Sequence, residues 1–190
     1  MDRLEEELRE NDRQEFSRRL TRFREIDEWF QVPPGGLSLG SDWEATLAFQ
    51  EARFAYVSGL WISAILCAGT ALERHLAWRL MHVFNKNTEH LKAKEITDSA
   101  MEAGLIDRQQ ADEISKLRSY RNAHAHFRRD SRYVETLHAQ MESLRDDESV
   151  DGVDANLVLR PEARAAVMLA SAYFLAAGID ESSHPEEPGS

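Results

Sequence analysis

The residues best suited to chemistry are an arginine and a histidine five positions apart, Arg121 and His126. Arginine stays charged near neutral pH and offers forked donors to phosphate oxygens. Histidine has an unperturbed pKa near ~6.5, which suits it to proton transfer. Cleavage of RNA needs both functions: a base that takes the 2′-hydroxyl proton and a cation that holds the scissile phosphate. The pair therefore predicts phosphate chemistry, with Asn122 available to orient either group.

Helical spacing decides which of these side chains can act together. On a helix, Asn122 and His126 are four residues apart and share a face with Arg118 and Arg129, whereas Arg121 lies further round. We therefore expect either the reach of the arginine side chain or a second helix facing this one to bring Arg121 and His126 to the same phosphate.

Positive charge is concentrated in the same part of the chain. The net charge is −11, but residues 116–132 contain six cations and one acid, a net charge of +5, which leaves −16 for the rest. An acidic protein with one basic segment is typical of a focused phosphate-binding site and not of a non-specific nucleic-acid coat. The alternative, that these arginines pair with acids on neighbouring helices, stays open. The cations are Lys116, Arg118, Arg121, Arg128, Arg129 and Arg132.

The segment LRSYRNAHAH at 117–126 resembles the motif of the HEPN superfamily, in which an Arg, usually followed by a polar residue, precedes a His by five positions. The upstream Ala64-Ile65 and Ala71-Leu72-Glu73 are similar to the family as well, and the resemblance covers roughly residues 43–177. It implies a helical homodimer with the two motifs facing each other across a groove. It also implies RNA cleavage without metal or cofactor, in which Arg121 binds phosphate, His126 is the general acid or base and Asn122 orients them.

Three further arginines, Arg118, Arg128 and Arg129, are the predicted substrate-binding residues beside this motif. One of them marks a departure from the family. HEPN toxins that a nucleotidyltransferase silences carry a Tyr two positions after the His, and the chain has Arg128 there. Regulation by modification of that position is therefore not expected.

An acidic residue upstream is predicted to support the site. Glu73 falls in line with Leu76 and Leu80 on a helix face that should be buried, so its carboxylate needs a partner. Arg121 or Arg118 is the expected partner. The role of Glu73 is either structural, holding an arginine in place, or catalytic.

The remaining histidines and the single cysteine predict neither a metal site nor a disulfide. His124 and His126 point about ~200° apart on a helix and cannot share a metal ion. His75 and His82 share a face without a third ligand and are expected on the helix surface. Cys67 has no second cysteine with which to pair.

Hydrophobic periodicity and breakers predict four regions: an amphipathic helical arm (1–32), a loop (33–42), a helical bundle (43–178) and a disordered tail (179–190). In the first bundle helix, capped by Ser41 or Asp42, the predicted apolar stripe is Trp43, Leu47, Phe54 and Val57. A final helix is expected to start at Pro161 and end at Gly178. The others are expected at about 61–84, 94–103, 107–127 and 134–144.

The predicted fold is all-α, an up-and-down bundle of four or five helices with an N-terminal helical arm. Only residues 155–159 offer a candidate strand. The N-terminus is acidic and lacks a secretory apolar stretch, and the apolar run from Gly59 to Leu72 is too short to span a bilayer. These features predict a cytoplasmic protein with no membrane partner.

The sequence is compatible with three functions. The first is a HEPN-type endoribonuclease whose partners are RNA, a second copy of itself and, as the usual setting of such proteins implies, an antitoxin or an antiphage defence component. The second is a non-catalytic module that binds RNA or a nucleotide in the same groove. The third is an interaction protein whose N-terminal arm recruits a partner.

Overall fold

The structure, a computed structural model, describes residues 3–30, 42–125 and 155–180. Within these ranges the chain forms six α-helices and no strand, which confirms the all-helical prediction and makes the candidate strand at 155–159 wrong. The helices are α1 (Arg3–Trp29), α2 (Trp43–Val57), α3 (Trp61–Phe84), α4 (Ala93–Glu102), α5 (Arg108–Ala125) and α6 (Ala155–Asp180).

Helix α3 is the centre of the bundle and packs against α2, α4, α5 and α6. Its buried face alternates small and large apolar side chains, so neighbouring helices approach closely while leucines fill the space between them. This placement matters for function because α3 carries Glu73, and α5, packed on α3, carries Arg121. The buried residues of α3 are Trp61, Ala64, Ile65, Ala68, Gly69, Ala71, Leu72, His75, Leu76 and Leu80.

Capping residues fix the helix ends where the sequence predicts them. The side chain of Asp42 accepts a hydrogen bond from the Glu44 amide at 3.2 Å, so Asp42 is the cap of α2. Asn85 ends α3 in the left-handed conformation, with φ of 51°. At the start of α5, Asp107 and Gln110 each bind the other's backbone amide at 2.8 Å, a reciprocal cap that satisfies two amides.

The predicted apolar stripe of α2 is wrong at three of its four positions. Only Val57 of the four packs against the core, and it is half-buried. Trp43, Leu47 and Phe54 are exposed, Trp43 by 80 %. The buried face instead carries Phe49 and Tyr56 between alanines. The alanines let α2 lie close against α3, and the rings of Phe49 and Tyr56 fill the remaining space. The core side of α2 is therefore marked by its alanines and not by Trp43, Leu47 and Phe54.

Helix α6 begins six residues before Pro161, so the predicted start at this proline is wrong. Pro161 lies inside the helix, where it gives up one backbone hydrogen bond but keeps a φ compatible with helix. The early turns are held by Asn156, whose side chain accepts a hydrogen bond from the Trp61 indole at 2.6 Å. The helix also runs two residues past Gly178.

Helix α1 has two parts with different surroundings. Its last third joins the core through Ile26, and Phe30 follows it there. Glu25 accepts hydrogen bonds from Tyr56 at 2.6 Å and Arg160 at 2.8 Å. From Arg3 to Thr21, in contrast, every residue is exposed except half-buried Glu15.

The predicted helix at 134–144, the loop at 33–41 and the tail from 181 lie outside the described residues. Among the helices that are described, none is long and apolar enough to cross a membrane.

Candidate functional site

The C-terminal turns of α5 bring Arg121 against the middle of α3. Nη1 of Arg121 donates a hydrogen bond to Oε2 of Glu73 at 2.5 Å. Of the two arginines expected as partners of Glu73, it is therefore Arg121 that makes the contact. The two residues are 48 positions apart in sequence, so the bond exists only because α3 and α5 pack together.

Gly69 makes room for this arginine. A Cβ at position 69 would lie 3.1 Å from Cδ of Arg121, closer than such atoms normally approach. The aliphatic stem of Arg121 therefore lies directly on the backbone of α3, one helical turn before Glu73. The absence of a side chain at position 69 fixes the path of the arginine from α5 to the carboxylate.

The Arg121–Glu73 pair is only partly withdrawn from solvent. The side chain of Arg121 is 24 % exposed and that of Glu73 is 19 % exposed. A guanidinium has five N–H donors, and the bond to Glu73 uses Nη1. The cation is thus oriented by the protein while part of it still faces outward.

Two other predicted site residues lie on the same helix and are half-buried. Nη2 of Arg118 donates to the hydroxyl of Ser115 at 2.7 Å, and its Nη1 is buried with no hydrogen-bond partner within the described residues. Asn122 directly follows Arg121. The other predicted residues, His126, Arg128 and Arg129, lie outside the described ranges, so their positions relative to Arg121 are not described.

A buried pair links α5 to α6 next to this site. Nε2 of His124 lies 2.8 Å from Oε2 of Glu162, and their side chains are only 2 % and 8 % exposed. Glu162 was not among the site residues predicted from the sequence. The signal was present, because Glu162 lies on one face with Leu159 and Ala166, both buried. The same reasoning found Glu73, but the helix was expected to start at Pro161, and no face was assigned to the residue after it.

Glu73 also lines a groove of about 830 Å³. The rings of Trp78 and His82 line it and lie against each other at a tilt of 36°, with centroids 4.6 Å apart. At one edge, Arg74 contacts Asp42 at 2.5 Å and also Glu44. Glu73 thus belongs to both the arginine pair and the groove. The lining residues are Asp42, Trp43, Glu73, Arg74, Ala77, Trp78, Met81, His82, Thr88, Glu89, Leu91, Ala93 and Ile96.

His75 is buried, so its predicted position on the helix surface is wrong. Its side chain packs against the ring of Phe174 at 4.8 Å, and neither ring nitrogen has a hydrogen-bond partner within the described residues. Burial, aided by the charge of Arg79, lowers the pKa of His75 to about 4. His75 is therefore neutral at physiological pH.

In the part of the chain that the structure describes, no group of three or more His, Cys, Asp or Glu residues is arranged to hold a metal ion. Comparison of the whole chain with protein-family models, curated proteins and solved structures found no match.

Proposed function

We propose that this chain is a metal-independent endoribonuclease of the HEPN type that acts as a homodimer. In this proposal Arg121 binds the scissile phosphate, His126 transfers the proton, and Asn122 orients them. The residues assigned to the RNA backbone are Arg118, Arg128 and Arg129.

The observation that carries the proposal is the way Arg121 is held. Glu73 binds one side of its guanidinium, Gly69 accommodates its stem, and about a quarter of the side chain stays exposed (24 %). A cation that is ordered before the ligand arrives loses less entropy on binding, and its remaining donors match phosphate oxygens. Glu73 has the structural role in this arrangement and lowers the net charge that a ligand meets.

The reaction follows from the chemistry of RNA. His126 takes the 2′-hydroxyl proton, the 2′-oxygen bonds to phosphorus, and the bond from phosphorus to the 5′-oxygen breaks. Arg121 stabilises the charge that develops on the non-bridging oxygens. In a dimer with facing motifs, the partner's His126 gives a proton to the leaving 5′-oxygen. The products carry a 2′,3′-cyclic phosphate and a 5′-hydroxyl, and DNA is not cut because it lacks the 2′-hydroxyl.

The biological setting in the proposal comes from the resemblance. Free-standing HEPN proteins usually act in toxin–antitoxin or antiphage defence systems, and an antitoxin or a defence component is the proposed additional partner. The concentration of positive charge at 116–132, +5 in a chain of net −11, supports RNA as the substrate.

The test is incubation of the protein with mixed cellular RNA in excess EDTA, with product ends mapped chemically. We expect His126→Ala to lower the cleavage rate by about 10²–10⁴, the usual contribution of a positioned acid or base. Arg121→Ala should lower it as well. His90→Ala is the matched control, because His90 is exposed in the connection before α4. Helical content measured by circular dichroism should be the same in all four proteins.

Two results would remove the mechanism. One is cleavage that stops in EDTA, which would require a metal-bound nucleophile. The other is cleavage that survives His126→Ala unchanged.

The groove beside Glu73 supports a second candidate, a non-catalytic module that binds RNA or a nucleotide. Stacking on aromatic rings is a common way to bind bases, and the rings of Trp78 and His82 both line this groove. For this function, oligonucleotides should quench tryptophan fluorescence, Trp78→Ala should weaken binding, and no RNA should be cut. Binding that depends on Arg121 and is unaffected by Trp78→Ala favours the ribonuclease.

A further inference from the structure

The first two thirds of α1 form a projecting helix, residues 3–21, that we call the arm. Its large apolar side chains face solvent, with Leu8 63 % and Phe16 62 % exposed. Charged side chains pair along the helix itself, for example Arg9 with Glu5 at 2.7 Å. Such pairs support an isolated helix only weakly, and most helices in proteins owe their stability to burial of an apolar face.

The exposed apolar residues of the arm are arranged in a row. They occupy positions four residues apart, 4, 8, 16 and 20, and Phe23 lies beside the end of the row. Asp12 holds the one remaining position in this spacing. Residues at this spacing form a ridge on a helix, the feature through which two helices pack. The row is thus suited to a second helix rather than to a small ligand.

The charge pattern identifies that helix. Residues 3–12 contain five acids and two arginines, a net charge of −3, whereas residues 13–21, the rest of the arm, contain three arginines and one acid, a net charge of +2. Two copies of the arm in parallel would place like charges together. Two antiparallel copies place each acidic half against the basic half of the other, around the apolar row.

From the row and the charge pattern together, we infer that the arm binds the arm of a second copy of this chain in an antiparallel pair. This interface is separate from the facing motifs of the proposed ribonuclease. The last third of α1 stays with the bundle, since Arg22 donates to the Val57 carbonyl at 2.7 Å and Ile26 is in the core. The arm pair therefore links two folded bundles.

Site-specific cross-linking of the full chain tests the pair. In an antiparallel pair centred near residue 13, the two copies of position 12 lie about 3 Å apart along the axis, and the two copies of position 4 about 27 Å apart, at 1.5 Å rise per residue. In a Cys67→Ser background, a short bis-maleimide should cross-link Asp12→Cys in most chains and Leu4→Cys in almost none. A mixture of Leu4→Cys and Phe23→Cys should cross-link to each other.

Each other outcome contradicts the inference. Cross-linking of both single variants to themselves would mean a parallel pair. Failure of all three would mean that the arm does not pair with itself and that the row serves another molecule. Neither result bears on RNA cleavage, because the arm carries none of the residues assigned to the reaction.

Charge reversal gives an independent check. Arg18→Glu with Arg19→Glu makes the whole arm acidic, and Glu6→Lys with Glu10→Lys makes it basic. Each variant alone should lose most of the cross-linking at position 12, and a mixture of the two should regain it. In a parallel pair, each half of the arm faces the same half of the other copy. Reversal of the charge of one half would then leave like charges facing each other, and cross-linking would change little. Replacement of Asp12 by Leu completes the apolar row and should lower the concentration at which light scattering detects association by about tenfold or more, since burial of one leucine side chain stabilises an interface by at least that factor. An unchanged association would contradict the role of the row.

Discussion

The side chains of His75 and His124 are both buried, yet their surroundings are opposite. His75 lies in the core of the bundle against Phe174, and neither of its nitrogens has a hydrogen-bond partner within the described residues. His124 faces the carboxylate of Glu162 at 2.8 Å and so ties α5 to α6. Burial alone therefore does not indicate what a histidine does. The role of a buried histidine depends on the group that its ring contacts. The His124–Glu162 pair lies one helical turn after Arg121.

The largest effect should come from breaking the His124 pair while keeping volume. His124→Phe removes the hydrogen bond between His124 and the buried Glu162 carboxylate, and we expect the free energy of unfolding to fall by up to about 3 kcal/mol, the upper end for a hydrogen bond to a charged group. His75→Phe is the matched control and should be neutral or stabilising at pH 7, because it removes two unpaired nitrogens. Urea titration measures both. Equal losses in the two variants would contradict the comparison.

Lowering the pH should have the next largest effect on the free energy of unfolding, and this effect should come through His75. The pKa of His75 is lowered to about 4 in the folded protein from an ordinary value near 6.5. The unfolded chain therefore binds more protons between these values, so the contribution of His75 to stability is complete above pH 6.5 and is lost as the pH falls towards 4. Measured at pH 7 and pH 4.5, wild type should lose about 2 kcal/mol more than His75→Phe. Parallel pH profiles would show that His75 does not couple folding to protonation.

Removal of the charge from the partly exposed Arg121–Glu73 pair should have a smaller effect on stability and the opposite effect on RNA affinity. Glu73→Gln keeps the shape but removes the charge, and we expect unfolding free energy to fall by about 1 kcal/mol, since the pair is only partly buried. If Arg121 binds phosphate, RNA affinity should rise several-fold in the same variant because Glu73 no longer competes. Filter binding at fixed salt measures this. An affinity that falls together with stability would assign Glu73 to ligand binding.

The smallest stability change should come from Gly69→Ala. The gain in helix propensity, about 1 kcal/mol, opposes the crowding of Arg121 by the new Cβ, so the free energy of unfolding should change by less than about 1 kcal/mol. RNA cleavage or binding should nevertheless weaken, since the arginine must leave its path. Thr70→Ala, an exposed change on the same helix, is the control. Unchanged activity in Gly69→Ala would mean that the path of Arg121 does not matter.

Helix ends could be predicted from sequence because their causes are local. Asp42 caps α2 and Asn85 ends α3 through contacts within a few residues. The core face of α2 could not be predicted in the same way, because it depends on how closely α3 approaches. His75 and His82 lie seven residues apart on one face, yet only His75 is covered, since the last turn of α3 is largely exposed.

The candidate site was predictable only in part. The position of Glu73 among buried leucines identified a carboxylate in need of a partner, and Arg121 is that partner. The role of Gly69 was not predictable, because it depends on a side chain 52 positions later in the chain. Glu162 was not predicted for a different reason. In a sequence, a proline inside a helix looks the same as a proline at the first position of a helix, so no helix face was assigned around Pro161. The predicted functions of His126, Arg128 and Arg129 stay predictions from sequence.

The indole of Trp61 has a consequence for the order of folding. It contacts Tyr56 in the preceding turn of the chain, whereas its hydrogen bond to Asn156 joins residues 95 positions apart. Contacts between distant residues require closure of a long loop and form late unless other structure already holds the ends together. We therefore expect the α2–α3 pair to form before α6 docks, and the Trp61–Asn156 hydrogen bond to form only when α6 packs against α3.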